Sequence, residues 1–119
     1  IDLPMNVLSA DLLGLRTIWV PDAHFRDNNW IFSTPWGVKE YNGQESERYQ
    51  LLLRPDRIQL SNDGLEAIVT RTFYAAGQKF IHCSIGNLNN LTVLVDDDIS
   101  VGETIYLAVD LDSIEVLAA

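Results

Sequence analysis

A chain of 119 residues with 47% hydrophobic content has apolar bulk for one packed domain, or for two very small ones sharing a core. Eight Lys and Arg against seventeen Asp and Glu leave a formal charge of −9, which repels phosphate backbones and disfavours nucleic-acid binding. Apolar runs stop at four or five residues, too short for a membrane span, and no signal-peptide core is present. The chain opens on Ile1 rather than Met, so the expectation is a removed leader or a segment excised from a longer protein.

Period-2 alternation dominates and predicts an all-β chain. Residues 5–15 are ambiguous: Met5, Leu8, Leu12 and Leu15 have helical spacing, yet residues 6–10 equally suit the start of a strand. Strands are expected at 16–20 and 30–34, separated by the turn signals Pro21-Asp22-Ala23-His24 and Arg26-Asp27-Asn28-Asn29. Pro35-Trp36-Gly37 turns the chain into a strand at 38–41, and residues 42–48 form a polar, acidic loop. A strand at 49–53 then runs into Arg54-Pro55-Asp56, after which Ile58 and Leu60 restart an apolar face. From residue 65 the alternation is clearest, with Ala67, Val69, Arg71 and Phe73 set against Ile68, Thr70, Thr72 and Tyr74. A turn at 75–78, a strand at 79–85, a polar turn at 86–90 and a strand at 91–95 come next. Asp96-Asp97-Asp98 ends that strand, residues 100–103 turn again, and strands at 104–109 and 113–117 close the set. Five short strands at this spacing predict a small barrel or sandwich.

Motifs for catalysis are missing. No phosphate-binding loop, dinucleotide fingerprint, nucleophile elbow or H-E-x-x-H pair occurs. Asp22 and His24 could supply two metal ligands, but no third or fourth ligand converges on them, so a polar loop is the better reading. The Asp96–Asp98 triplet lacks the spaced ligands and glycine of a calcium loop and reads as a strand terminator. Cys83 alternates with apolar neighbours, which marks a buried structural thiol and suits a reducing cytoplasm. His82 falls opposite that apolar face and is expected to be exposed. Trp19, Trp30 and Trp36 all lie in the first 36 residues among Asn and Asp. Packing into the core is expected for at least two of them; Trp36, between Pro35 and Gly37, is the best candidate for an exposed contact.

The charged corner has a physical meaning of its own. Pro55 removes an amide donor and fixes its own φ, and it presses Arg54 towards extended geometry. Arg54 and Asp56 flank the bend and are expected to brace it. The stretch Leu52-Leu53-Arg54-Pro55-Asp56-Arg57-Ile58-Gln59-Leu60 resembles the I-R-P-E-x-I-x-L element of the C-terminal regulatory domains in ATP-binding subunits of bacterial ABC importers. The segments after the corner are similar in order too: a strand at 65–74, Gly77 in a glycine position, a strand at 79–85 and a polar turn. Val101-Gly102-Glu103-Thr104-Ile105-Tyr106-Leu107 resembles x-G-x-x-V-x-L, and residues 113–117 resemble the closing strand. Asp56 stands where Glu is commoner, and Ile114-Glu115-Val116 lacks the usual His and Phe.

The resemblance covers residues 51–119 and is to the TOBE domain, an OB-like β-barrel. It implies a barrel at 51–119 with a variable region of β-strands at 1–50 packed on it. Such domains are not enzymes. They carry no catalytic, metal or cofactor-binding residue; ATP and magnesium belong to a nucleotide-binding domain outside this chain. They regulate and hold together the ATPase dimer on the cytoplasmic face of the membrane. The implied partners are a second copy, the nucleotide-binding domain, the permease and, in some members, a regulatory protein. The form L-L-x-R-P-[ED] points weakly to iron or polyamine importers. Two other functions compete: a free-standing carbohydrate-binding module using Trp36 and its neighbours, and an oxyanion pocket using Lys79 and Arg71.

Overall fold

Ten strands account for most of the computed structural model, which describes residues 15–96 and 98–119. The ambiguous element at 5–15 therefore lies, Leu15 apart, outside the described residues, as does Asp97. In chain order the strands are β1 (Thr17–Trp19), β2 (Asp22–Arg26), β3 (Asn29–Thr34), β4 (Gly37–Tyr41) and β5 (Tyr49–Leu53). They continue as β6 (Ile58–Ala75), β7 (Gln78–Ile85), β8 (Leu88–Val95), β9 (Thr104–Val109) and β10 (Glu115–Ala118). All ladders are antiparallel and form three sheets, ordered β1-β5-β10, β2-β3-β4 and β8-β7-β6-β9. The all-β reading holds.

Three local expectations are corrected. Residues 22–24 are strand, not turn, because Asp27 and Asn28 both take positive φ (54 and 67) and close a tight β2–β3 hairpin. β2 hides in the sequence because it is almost wholly exposed and shows no apolar alternation. At the other end, the polar stretch 86–90 is mostly strand: only Gly86 and Asn87 turn, and Asn90 (φ 58) absorbs the register shift between Cys83 and Ile85. The third correction concerns faces. A bulge between Val69 and Arg71 inverts the alternation, so Ala67 and Val69 point into the core while Arg71 and Phe73 point away from it.

β6 carries a second irregularity. Leu60 and Leu65 both align with Leu107 of β9, so residues 61–64 bow out of the ladder. Gly64 makes this possible, since a Cβ there would lie closer than 3.0 Å to the backbone C, O and N of Leu107.

One apolar core gathers side chains from all three sheets. Phe32 comes from β3, Leu51 and Leu53 from β5, and Val69, Ile81, Leu91, Val93 and Leu107 from the four-stranded sheet. Each such side chain contributes about 1.5–3 kcal/mol by leaving water. The regions 1–50 and 51–119 therefore share this core across the expected boundary.

Candidate functional site

The Arg-Pro corner joins β5 to β6. Leu51–Leu53 is buried, and Arg54 is extended (φ −83, ψ 144), as the residue before proline should be. The buried Pro55 opens a single 3-10 turn over Pro55–Arg57, closed by a hydrogen bond from Arg57 N to Arg54 O of 3.0 Å. The brace differs from expectation. Arg54 Nε donates to Glu115 Oε2 at 3.0 Å, while Asp56 makes no side-chain hydrogen bond or ion pair among the described residues. Because β10 pairs with β5, Glu115 stands opposite Leu52 and within reach of Arg54. Both side chains are substantially solvated, so the pair contributes less than about 1 kcal/mol and mainly fixes where the last strand meets the bend. Beside it, Arg54, Arg57, Asp112, Ser113 and Glu115 line a shallow hollow of about 450 Å³.

The three tryptophans have different fates. Trp30 donates from Nε1 to Gln44 O at 2.8 Å and lies parallel to Phe32 at 6.3 Å. Trp36, expected as an exposed contact, is half-buried: its Nε1 donates to Leu107 O at 3.0 Å, and its ring packs on the core. Thr34 Oγ1 shapes that turn by accepting from Trp36 N (3.1 Å) and donating to Gly37 O (2.7 Å). Lys39 Nζ then donates to Leu111 O at 2.9 Å, so the β3–β4 tip is clamped onto β9 and the segment after it. Trp19 packs on the core as well, yet among the described residues its indole N–H has no acceptor.

Trp19 lines a groove of about 690 Å³ between the β1–β2 link, the end of β3 and the β7–β8 turn. Asp22 and Ser33, aligned across the β2–β3 ladder, share the lining with Glu66 and Asn87. Among the described residues none of these four side chains makes a hydrogen bond or ion pair. Spacing along the chain gives no hint of this grouping, because it is assembled by three separate sheet ladders.

Lys79 and Arg71 do not converge on an anion. Lys79 pairs with Tyr74, and Arg71, three positions earlier on the same strand, projects from the other face. Lys79 Nζ is engaged by Ile99 O at 3.0 Å and by Asp98 at 3.8 Å, and the Arg71 guanidinium lies 5.0 Å from the Phe73 ring centroid. The hollow of about 680 Å³ beside Lys79 is lined by Asp96 and Asp98 and would repel an anion. Gln78 Oε1, also in its lining residues, is buried without a hydrogen-bond partner.

Asp22 and His24 lie on β2 and are exposed, and among the described residues no group of three His, Cys, Asp or Glu side chains is placed to hold a metal ion. Cys83 is fully buried, its Sγ donating to Leu91 O at 3.6 Å, and burial pushes the thiol up to about 12. A thiol so placed is a poor nucleophile.

His82 is not the free surface residue expected of it: its ring meets Phe73 edge-on at 5.0 Å. Burial, and then the Arg71 charge, hold the imidazole below its ordinary 6.5. The folded state thus resists protonation more than the unfolded chain does. The stability contributed by neutral His82 is whole above about pH 6.5 and is lost as pH falls towards the lowered folded value. Urea midpoints taken between about pH 7.5 and 5.5 are expected to fall more steeply for the parent chain than for His82→Gln. Parallel slopes would remove this role.

No protein-family model matches the chain, and neither does any curated protein. No helix among the described residues is long and apolar enough to cross a membrane.

Proposed function

We propose that the chain is a regulatory and dimerisation domain, of the TOBE type, from the ATP-binding subunit of a bacterial ABC importer. The observation that carries this reading is the corner. Pro55 is buried at the start of a one-turn joint, and Arg54 is tied to the closing strand. These are the residues of the resemblance, and their arrangement suits a joint between variable N-terminal strands and an OB-like barrel. In such a domain the barrel would be completed by side-chain packing between open sheets, for which the shared core is suitable.

On this reading the chain performs no chemistry itself. ATP hydrolysis, with its magnesium, belongs to a nucleotide-binding domain elsewhere in the subunit, on the cytoplasmic face of the membrane. The domain's partners are that nucleotide-binding domain, a second copy, the permease and, in some importers, a regulatory protein. The L-L-x-R-P-D form of residues 51–56 favours an iron or polyamine importer.

The test is direct. The coding sequence upstream of Ile1 is expected to encode a phosphate-binding G-x-x-x-x-G-K-[ST] loop. An upstream reading frame without one would overturn the proposal. A carbohydrate module built on Trp36 has less support, because that indole is committed to Leu107.

A further inference from the structure

The Trp19 groove has a composition that the importer reading does not use. Its apolar lining includes Trp19, Pro21, Leu65 and Leu88, and its polar side chains are Asp22, Ser33, Glu66, Asn87 and Thr34, the last already committed to the Trp36 turn. The volume of about 690 Å³ falls within the range of roughly 300–1,000 Å³ typical of small-molecule sites. Of the three indoles, only that of Trp19 has an N–H with no protein acceptor among the described residues. Apart from Thr34, the polar side chains of the groove, those of Asp22, Ser33, Glu66 and Asn87, are likewise unengaged among the described residues.

The balance of these groups selects a chemistry. Asp22 and Glu66 are acceptors and repel anions, which removes phosphates, sulfates and carboxylates as ligands. A simple organic cation offers donors alone, and would leave the Trp19 N–H and the Asn87 amide N–H facing a donor. A ligand that both donates and accepts, and that has an apolar face for an indole, satisfies every group at once. A sugar ring is such a ligand: its hydroxyls pair with planar carboxylate and amide groups, and its C–H face lies on an aromatic ring.

We propose that the groove bounded by Trp19, Asp22, Ser33, Glu66 and Asn87 binds a small neutral polyol or sugar. Trp19 is the stacking platform; Asp22 and Glu66 accept from ligand hydroxyls; Asn87 and Ser33 donate and accept. No bond is made or broken. The site does not depend on the chain being part of an importer, and a sugar titration can fail while the upstream-sequence test succeeds, or the reverse.

Calorimetric titration of the full 119-residue chain with glucose, galactose, mannitol and maltose tests the proposal. Saturable heat is expected with at least one of them, at a Kd on the order of 1 mM, as suits an open groove. The double variant Asp22→Ala/Asn87→Ala removes two exposed side chains that the fold does not use, and is expected to weaken binding at least about tenfold. Trp19→Ala, if circular dichroism shows it folded, is expected to do the same, while Tyr74→Ala in the other hollow leaves affinity unchanged. No heat with any of the four sugars up to about 50 mM, far above that Kd, would overturn the proposal. So would a double variant that binds as tightly as the parent, or tighter binding of 1,4-diaminobutane or sulfate than of every sugar.

Discussion

A Phe32→Ala variant is expected to unfold with about 4 kcal/mol less free energy than the parent chain, the cost of deleting a buried aromatic ring. Phe32 is 1% exposed and belongs to the central core. It lies parallel to Trp30 at 6.3 Å and meets Tyr49 of β5 edge-on at the same distance. Through it the β2-β3-β4 sheet is joined to the β1-β5-β10 sheet, whose central strand leads into the corner. The loss should therefore appear twice: in a lowered urea midpoint, and in a Trp30 emission that shifts before the rest of the molecule unfolds. For a domain of ordinary stability, about 5–15 kcal/mol, such a loss is a large fraction of the whole. A variant within about 1 kcal/mol of the parent would mean that Phe32 is not the tie between the sheets.

Gly64→Ala is expected to cost about 3 kcal/mol, although it adds a single methyl group. That methyl would sit inside 3.0 Å of three backbone atoms of Leu107, and backbone in the middle of a ladder cannot rotate out of the way as a side-chain tip can. Either residues 61–64 or β9 must move. Movement of β9 would also stretch the hydrogen bond from Trp36 to Leu107 O, so a red shift of tryptophan emission should accompany the loss of stability. The same change at Gly77 meets no neighbour within 4 Å, although its φ of +76 adds backbone strain there. A smaller loss at Gly64 than at Gly77 would show that the bowed segment yields freely.

The sequence made the strands legible wherever one face is buried and the other solvated. β9 has the expected bounds, Thr104–Val109, and β5 (Tyr49–Leu53) was legible for a different reason, as a leucine run buried on both faces and stopped by the Arg-Pro corner. The sequence failed where both signals are missing. β2 buries so little that only its hairpin turn betrays it, and that turn is encoded in two residues able to adopt positive φ. The inversion after Val69 was invisible for another reason: a bulge inserts a residue without changing the pattern of residue types. Of the corner, Pro55 could be read from its own covalent chemistry, since the fixed ring dictates the bend. Its brace could not be, because Glu115 is 61 positions from Arg54 and only the β5–β10 ladder brings them together. The Trp19 groove was unreadable on the same grounds. A tryptophan in a turn looks exposed, and nothing local says that the tip carrying Trp36 docks while the strand carrying Trp19 stays accessible.

The Trp36–Leu107 hydrogen bond spans 71 positions, and its consequence is one of timing. The β3–β4 hairpin can close quickly because its strands are neighbours in sequence, on the order of microseconds. It has nowhere to dock until β9 has been brought to β6 across the intervening β7 and β8 strands. The N-terminal sheet should thus form early but settle late, leaving the Trp36 indole in water for most of the folding reaction. Stopped-flow fluorescence would register the final step, in which the β3–β4 tip reaches β9, as the slow phase.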